Sequence, residues 1–316
     1  MRNLILISWL FTSVVFAQAF PTKPLRIVVP FAVGGSPDVI ARGLAIQLDA
    51  QMGKSIVVDN RAGANGIIGA DIVAKSAPDG HTLIHSPPAF VLNALVYKKL
   101  PYDVMRDFIP VTNIGNSGGY LMLVSPALGV NNLKEFIAAA KAKPLSYGSP
   151  PAGNTLHLAT EMLKQRTGMS LQHVPYKGGT ETFTALISGE VQVLLVPPPA
   201  AIPYVKSGRL RAIGFTGAKR HPILPEVPTL AESGVADYVI DFTWHGWFAP
   251  AKTPLEIVRR LQLEARKALQ APAMRALMES SGFEAVANSP EEFKIFVQTE
   301  MKRYAEIVRA ANVVAE

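Results

Sequence analysis

A chain of 316 residues without a single cysteine has no disulfide, no thiol nucleophile and no cysteine-ligated metal, so core burial must hold it together. Its 31 basic and 24 acidic residues leave a net charge of +7, with no arginine-rich run and no aromatic-interleaved basic patch. That pattern argues against a nucleic-acid partner and reads as ordinary surface solvation with a mild positive field toward anions. The length suggests two lobes rather than one.

The first 19 residues carry one charge, Arg2, then the apolar run Leu4 to Phe16 and the small-x-small pattern Ala17-Gln18-Ala19. They read as a secretory signal peptide cleaved after Ala19, because the run is shorter than the roughly 20 residues a membrane span requires. The expected fate is export. A strand at Leu25 to Pro30 then passes through Phe31, Gly34 and Gly35 into a helix over Pro37 to Met52. Ser36 suits its N-cap and Pro37 its first turn, where no N–H is needed. The free N–H groups at such a helix start form an anion seat. Asp38 is expected to compensate the helix dipole rather than receive a ligand amine. Ile40, Leu44, Leu48 and Met52 fall on one helix face, and Gly53 ends it.

The strand Ser55 to Asp59 leads into NRAGANGIIGAD, where Gly63, Gly66 and Gly69 surround a helix start at a spacing that is not the dinucleotide fingerprint. The strand His81 to Ser86 holds His81 and His85 four apart in extended chain, which defeats a helical zinc motif. Strands follow at Tyr120 to Ser125 and Leu145 to Ser149, the latter leaving through YGSPPAGNTLH to reach Asn154 and Thr155 at a helix start. His157 in that helix reads as a hydrogen-bonded core histidine. Further strands are placed at Leu171 to Val174, opening into YKGGT, at Val191 to Val196, opening into Pro197 to Pro199, and at Arg211 to Phe215. Lys177 stands in the first of these loops, YKGGT. Asn132 with Glu135, Thr229 with Glu232, and Ser289 with Glu292 are capping boxes. Trp244, Trp247 and Phe248 are expected to pack in a core rather than stack on a ligand.

Such alternation predicts an α/β protein with helix-covered parallel or mixed sheets. Residues 20–124 plus 245–316 are expected in one lobe and 125–244 in an inserted one. Ligands of open α/β sheets sit beyond the carboxyl ends of the strands, so the glycine loops of the two lobes should face one cleft. One helix N-terminus contributes about 0.3 to 2 kcal/mol toward an anion, whereas micromolar affinity needs about 8 kcal/mol. Hydrogen bonds from Ser36, Ser149, Asn154, Thr155 and backbone amides must supply the difference.

The blocks PFAVGGSPDVIAR, PDGHTL, LPYDVMRDFIPV, YGSPPAGNTLHLATEM, HVPYKGG, GEVQV, LPEVPTLAESG and TWHGWFAP, in this order, resemble the substrate-binding receptors of tripartite tricarboxylate transporters, the Bug-type receptors. The resemblance covers nearly the whole mature chain. It implies a type II-like, two-lobed periplasmic binding protein that is monomeric and neither an enzyme nor a holder of cofactor or metal. Such a receptor closes on a small organic carboxylate and delivers it to inner-membrane transporter subunits. The family's grip maps onto the Phe31–Asp38 and Ser149–Thr155 loops. The full candidate set is Phe31, Gly34, Gly35, Ser36, Asp38, Ala64, Asn65, Gly66, Ser86, Ser149, Gly153, Asn154, Thr155, Lys177, Gly178, Gly179 and Val196. The chain departs from the family pattern at Val33, Pro151, Asn154, His81 and Val196-Pro197, the last in place of an Asp-Asn pair. A less polar ligand follows, an aromatic or longer aliphatic carboxylate. The alternatives are a sensor with a signalling partner and an exported α/β enzyme, the latter opposed by the lack of a GxSxG elbow or P-loop.

Overall fold

The computed structural model describes residues 20–311 apart from 152, 177, 178 and 242, so the expected signal peptide lies outside the described residues. The chain first lays down β1 (Leu25–Val29), α1 (Ser36–Met52), β2 (Ile56–Asn60), α2 (Ile67–Ala74), β3 (Thr82–Ser86), α3 (Ala89–Val96), the single turn α4 (Val104–Asp107) and β4 (Phe108–Asn116). It then crosses into β5 (Leu121–Val124), α5 (Leu133–Ala142), β6 (Leu145–Ser149), α6 (Thr155–Thr167), β7 (Leu171–Pro175), α7 (Gly179–Ser188), β8 (Val193–Val196), α8 (Pro198–Lys206) and β9 (Arg211–Phe215). It returns through β10 (Trp244–Pro250), α9 (Leu255–Gln270), α10 (Pro272–Ser281), β11 (Glu284–Ala285) and α11 (Pro290–Ala311).

These strands form a six-stranded sheet in the order β11-β4-β10-β3-β1-β2 and a five-stranded sheet in the order β7-β6-β8-β5-β9. Both are mixed, one of the two arrangements expected from the sequence. The strands β1, β2 and β3 run parallel, as do β6, β7 and β8, while β10 runs against β3 and β4, and β5 against β8 and β9. The reason is topological. A strand that has just crossed from the other lobe starts at the cleft end of its new sheet, where the neighbouring strands finish. The same pairing moves the expected border at 124/125, because Leu121–Val124 belongs to the second sheet. The two crossings run side by side. Ser117 N–H donates to Thr243 O (2.8 Å), Ser117 Oγ to Thr243 Oγ1 (2.6 Å) and Gly119 N–H to Thr243 Oγ1 (3.0 Å).

The strand β4 is absent from the sequence-based expectation because Pro110 interrupts its apolar run. Pro110 lies opposite Phe248 beside a register shift between Trp247 and Phe248, the kind of irregularity at which a sheet tolerates a missing donor. In the first lobe Trp247, Leu44, Ile40 and Leu261 are buried together beneath α1 and α9. Aromatic rings of Phe90, Tyr102, Phe108 and Phe248 pack on the opposite face of that sheet. Each such side chain contributes about 1.5–3 kcal/mol by leaving water. The long helix α11 packs against α3 of the first lobe and α6 of the second.

The helix α1 begins one residue earlier than expected. Gly35 is its N-cap and Ser36 its first residue, so the Ser36 side chain does not cap it. Gly53 closes it at φ 63° with its N–H on Asp49 O, as the left-handed C-cap requires. The capping boxes at Asn132 and Ser289 form at the starts of α5 and α11. The reciprocal bonds of Thr229 and Glu232 form too, but they close an isolated turn rather than open a helix.

A candidate ligand cleft between the lobes

The carboxyl ends of the strands in both sheets converge on one cavity of about 410 Å³. The first lobe contributes Phe31, Gly35, Ser36 and Pro37 from the β1–α1 loop, Ala62 to Gly66 beyond β2, and Pro87 and Pro88 beyond β3. The second lobe contributes Gly148 to Pro151, Asn154 to Leu156, Gly179, Thr182, Phe183, Leu195 to Pro197 and Ala200. The paired crossings supply Tyr120, Thr243, Trp244 and His245, and Phe283 follows α10.

The β1–α1 loop is pinned from behind. Gly34, at φ 84°, donates its N–H to Asp38 Oδ2 (3.0 Å), and Arg42 pairs with the same carboxylate at 3.0 Å. Burial opposes the Asp38 charge, yet Arg42, the Gly34 N–H and Asn60 together hold its carboxyl below the usual range. Asp38 is 2% exposed and does not line the cavity, so it shapes the loop. The start of α1 has no side-chain cap, and it lines the cavity through Gly35, Ser36 and Pro37. Beside them Ser36 Oγ lies 3.2 Å from Nε2 of the buried His245.

His245 neighbours a second buried imidazole. The His85 and His245 rings meet edge-on at 5.1 Å, and Trp247 Nε1 donates to His85 Nδ1 (2.9 Å), which leaves the His85 proton on Nε2. Burial pushes His85 down to about 3. Burial, then His85, push His245 well below the ordinary histidine value. Both rings are therefore neutral at neutral pH.

Across the cleft the loops are tied to each other. Ala64 and Asn65 both adopt left-handed backbone (φ 46° and 53°), and Asn93 of α3 holds Asn65 through two hydrogen bonds of 2.8 and 3.0 Å. Asn154 Nδ2 reaches from the second lobe to Asn65 Oδ1 (2.8 Å). Its own Oδ1 accepts from Leu156 N–H (3.0 Å) and caps α6. Ser149 Oγ donates to Pro150 O (2.7 Å) and meets His173 Nε2 at 2.8 Å.

The chain matches the sequence profile of the tripartite tricarboxylate transporter family receptor over residues 40–313. It belongs to that family. BugT of Bordetella pertussis is 34% identical over 299 residues, which cover 93% of this chain and 91% of BugT. An adipate-bound protein of R. palustris superposes with a TM-score of 0.89 at 35% identity, covering 93% of this chain and 99% of that one. MatC from Rhodopseudomonas palustris with bound malate gives 0.86 at 28% identity, covering 92% and 100%. The fold is that of a two-lobed periplasmic binding protein. The family is one of solute-binding receptors, not of enzymes.

Of the candidate residues in this receptor, Phe31, Gly35, Ser36, Ala64, Asn65, Gly66, Ser149, Asn154, Thr155, Gly179 and Val196 line the cavity. Gly34, Asp38, Ser86 and Gly153 do not. Ser86 is fully buried and donates to Pro87 O (3.2 Å). Gly153, at φ 83°, serves the approach of the lobes, since a Cβ there would lie 2.4 Å from Val96 Cγ1 on α3. Lys177 and Gly178 lie outside the described residues. His157 is a buried histidine that accepts from Gly153 N–H (3.4 Å), pushed down to about 4 by burial and by His173. Trp244 is in the core against Phe293 and Phe296, with Nε1 donating to Tyr304 (2.9 Å), and one edge also reaches the cavity.

Sequence reasoning missed Tyr120, Thr243, His245 and Phe283 as cavity residues. Tyr120 and Phe283 each follow a glycine, Gly119 and Gly282, but none of the four stands in a glycine loop that leads from a strand into a helix. The one local signal was the aromatic block around Trp244, which marks the crossing without saying which residue faces the ligand. Among the described residues, no group of three His, Asp or Glu is placed to hold a metal ion.

Proposed function

We propose that this receptor captures a small organic carboxylate between its lobes and delivers it to the inner-membrane subunits of a tripartite tricarboxylate-type transporter. The observation that carries the reading is the uncapped N-terminus of α1, with Ser36 beside it, opening into a cavity walled by both lobes. Adipate and malate in the two related structures are both carboxylates. Cleavage after Ala19 would release the chain into the periplasm as a monomer. In keeping with that, no helix among the described residues is long and apolar enough to cross a membrane. The lobes are the two sheets with their helices, and the hinge runs through the paired crossings at Ser117–Tyr120 and Thr243.

A thermal-shift screen of ligand-free mature protein against carboxylates tests this. A true ligand at 100 times its Kd should stabilise by about 2.7 kcal/mol, enough to raise Tm by several degrees. No shift with any carboxylate would refute the capture step. Co-purification of the receptor with its transporter from ligand-loaded membranes tests delivery, and a signalling protein recovered instead would refute it.

A further inference from the structure

Resting on the carboxylate reading, we propose that the ligand is a monocarboxylate with an apolar body, and that the cleft discriminates against a second carboxylate. The cavity has an open anion seat in its first lobe. At α1 no side chain caps the helix, and Ser36 faces the cavity with His245 Nε2 behind it. In the tautomer that carries its proton on Nε2, the neutral His245 donates to Ser36 Oγ, which leaves the Ser36 proton for a ligand oxygen.

Two helix starts of the second lobe at the cavity, α6 and α8, are partly closed or donor-poor. At the start of α6 three N–H groups are taken internally: Leu156 N–H by Asn154 Oδ1, Asn154 N–H by Pro151 O, and Gly153 N–H by His157 Nδ1. The Ser149 hydroxyl proton is spent on Pro150 O. The start of α8 is built from consecutive prolines, which have no N–H to offer. Seven of the described lining residues are prolines, and none is Asp, Glu, Lys or Arg. Two cations close to the lining segments are engaged, Arg42 with Asp38 and Arg61 with Asp59, each at 3.0 Å.

Strand register puts apolar surface in the middle of the second lobe's wall. Val196 pairs with Leu121 of β5 on one side, while on the other β8 runs beside β6, with Leu194 opposite Gly148. Val196 and Pro197 therefore stand between the crossing and the Ser149 loop, with Phe183 and Ala200 also on the wall. A methylene chain or aromatic ring gains by burial there. A carboxylate placed there gives up its water without a compensating donor.

Calorimetric titration of the mature receptor with two matched pairs tests this: hexanoate against adipate, and phenylacetate against 1,4-phenylenediacetate. Each monoacid should bind at least tenfold more tightly than its diacid. Equal or tighter binding of the diacids would overturn the inference and leave the receptor reading intact, and loss of that diacid preference in Lys177→Ala would trace it to a side chain outside the described residues. Failure of all four acids, and of malate and citrate, would overturn both readings. Ala200→Lys adds a cation to the apolar wall and should shrink the monoacid preference at least tenfold. An unchanged ratio in that variant, with unchanged Tm, would overturn the assignment of this wall to the ligand's body.

Discussion

At the scale of single residues, the site works through neutral groups held in fixed orientation. Ser36 is 3% exposed, and its one hydrogen-bond partner among the described side chains is His245, so it has little freedom to turn away from the cavity. A hydrogen bond to a charged partner contributes roughly 1.5–3 kcal/mol, so Ser36→Ala should weaken carboxylate affinity about tenfold to a hundredfold in calorimetry. Because Gln retains a donor near the Nε2 position, His245→Gln should bind more tightly than His245→Phe. The buried histidines also set a pH dependence of stability. His85 is held at about 3, His157 at about 4, and His245 well below the ordinary value. All three protonate near 6.5 in the unfolded chain. Their depressed values mean that stability is complete above about pH 6.5 and falls as pH drops, by roughly 1.4 kcal/mol per unit for each ring. Tm measured from pH 7 to pH 4 should fall, and His85→Asn, which keeps an acceptor for Trp247, should flatten the decline.

At the scale of elements, the two helix starts that face each other have different chemistry. Only α6 is capped by a side chain, and its cap doubles as a bond between lobes. Asn154→Ala should therefore cost about 1 kcal/mol for the cap, read as a lower denaturation midpoint, and should also loosen the Asn65 loop. Gly153→Val is expected to be more severe for binding. Its side chain would enter the space of Val96 at a backbone angle only glycine adopts easily, so the lobes would be held apart and carboxylate affinity lost even where the far-ultraviolet spectrum is unchanged.

At the scale of the whole molecule, two sheets are joined by adjacent crossings, and the carboxyl ends of their strands meet at one cavity. Ligand that contacts both lobes favours the closed arrangement by its differential affinity for it. Small-angle scattering should show a smaller radius of gyration with saturating ligand. An unchanged radius under saturation would contradict closure.

The sequence by itself determined the α/β alternation, the glycine-loop starts of α1 and α6, and membership of a receptor family. Short-range chemistry settles those features: Gly35-Ser36-Pro37 can start a helix whatever surrounds it, and the run Val193–Val196 is too apolar to stay outside a sheet. Tertiary structure decided what each polar group has left for a ligand. Asn154 and Ser149 look like cleft donors in the sequence, yet the fold spends Asn154 Nδ2 on Asn65 and the Ser149 proton on Pro150 O. Partners 89 residues apart, such as Asn65 and Asn154, leave no periodic trace. His245 meets Ser36 across 209 residues because β10 returns from the far lobe beside β3, which no local pattern specifies. Which strands run antiparallel is decided in the same way, since the reversal of β5 and β10 follows from where the chain crosses, not from the residues in those strands.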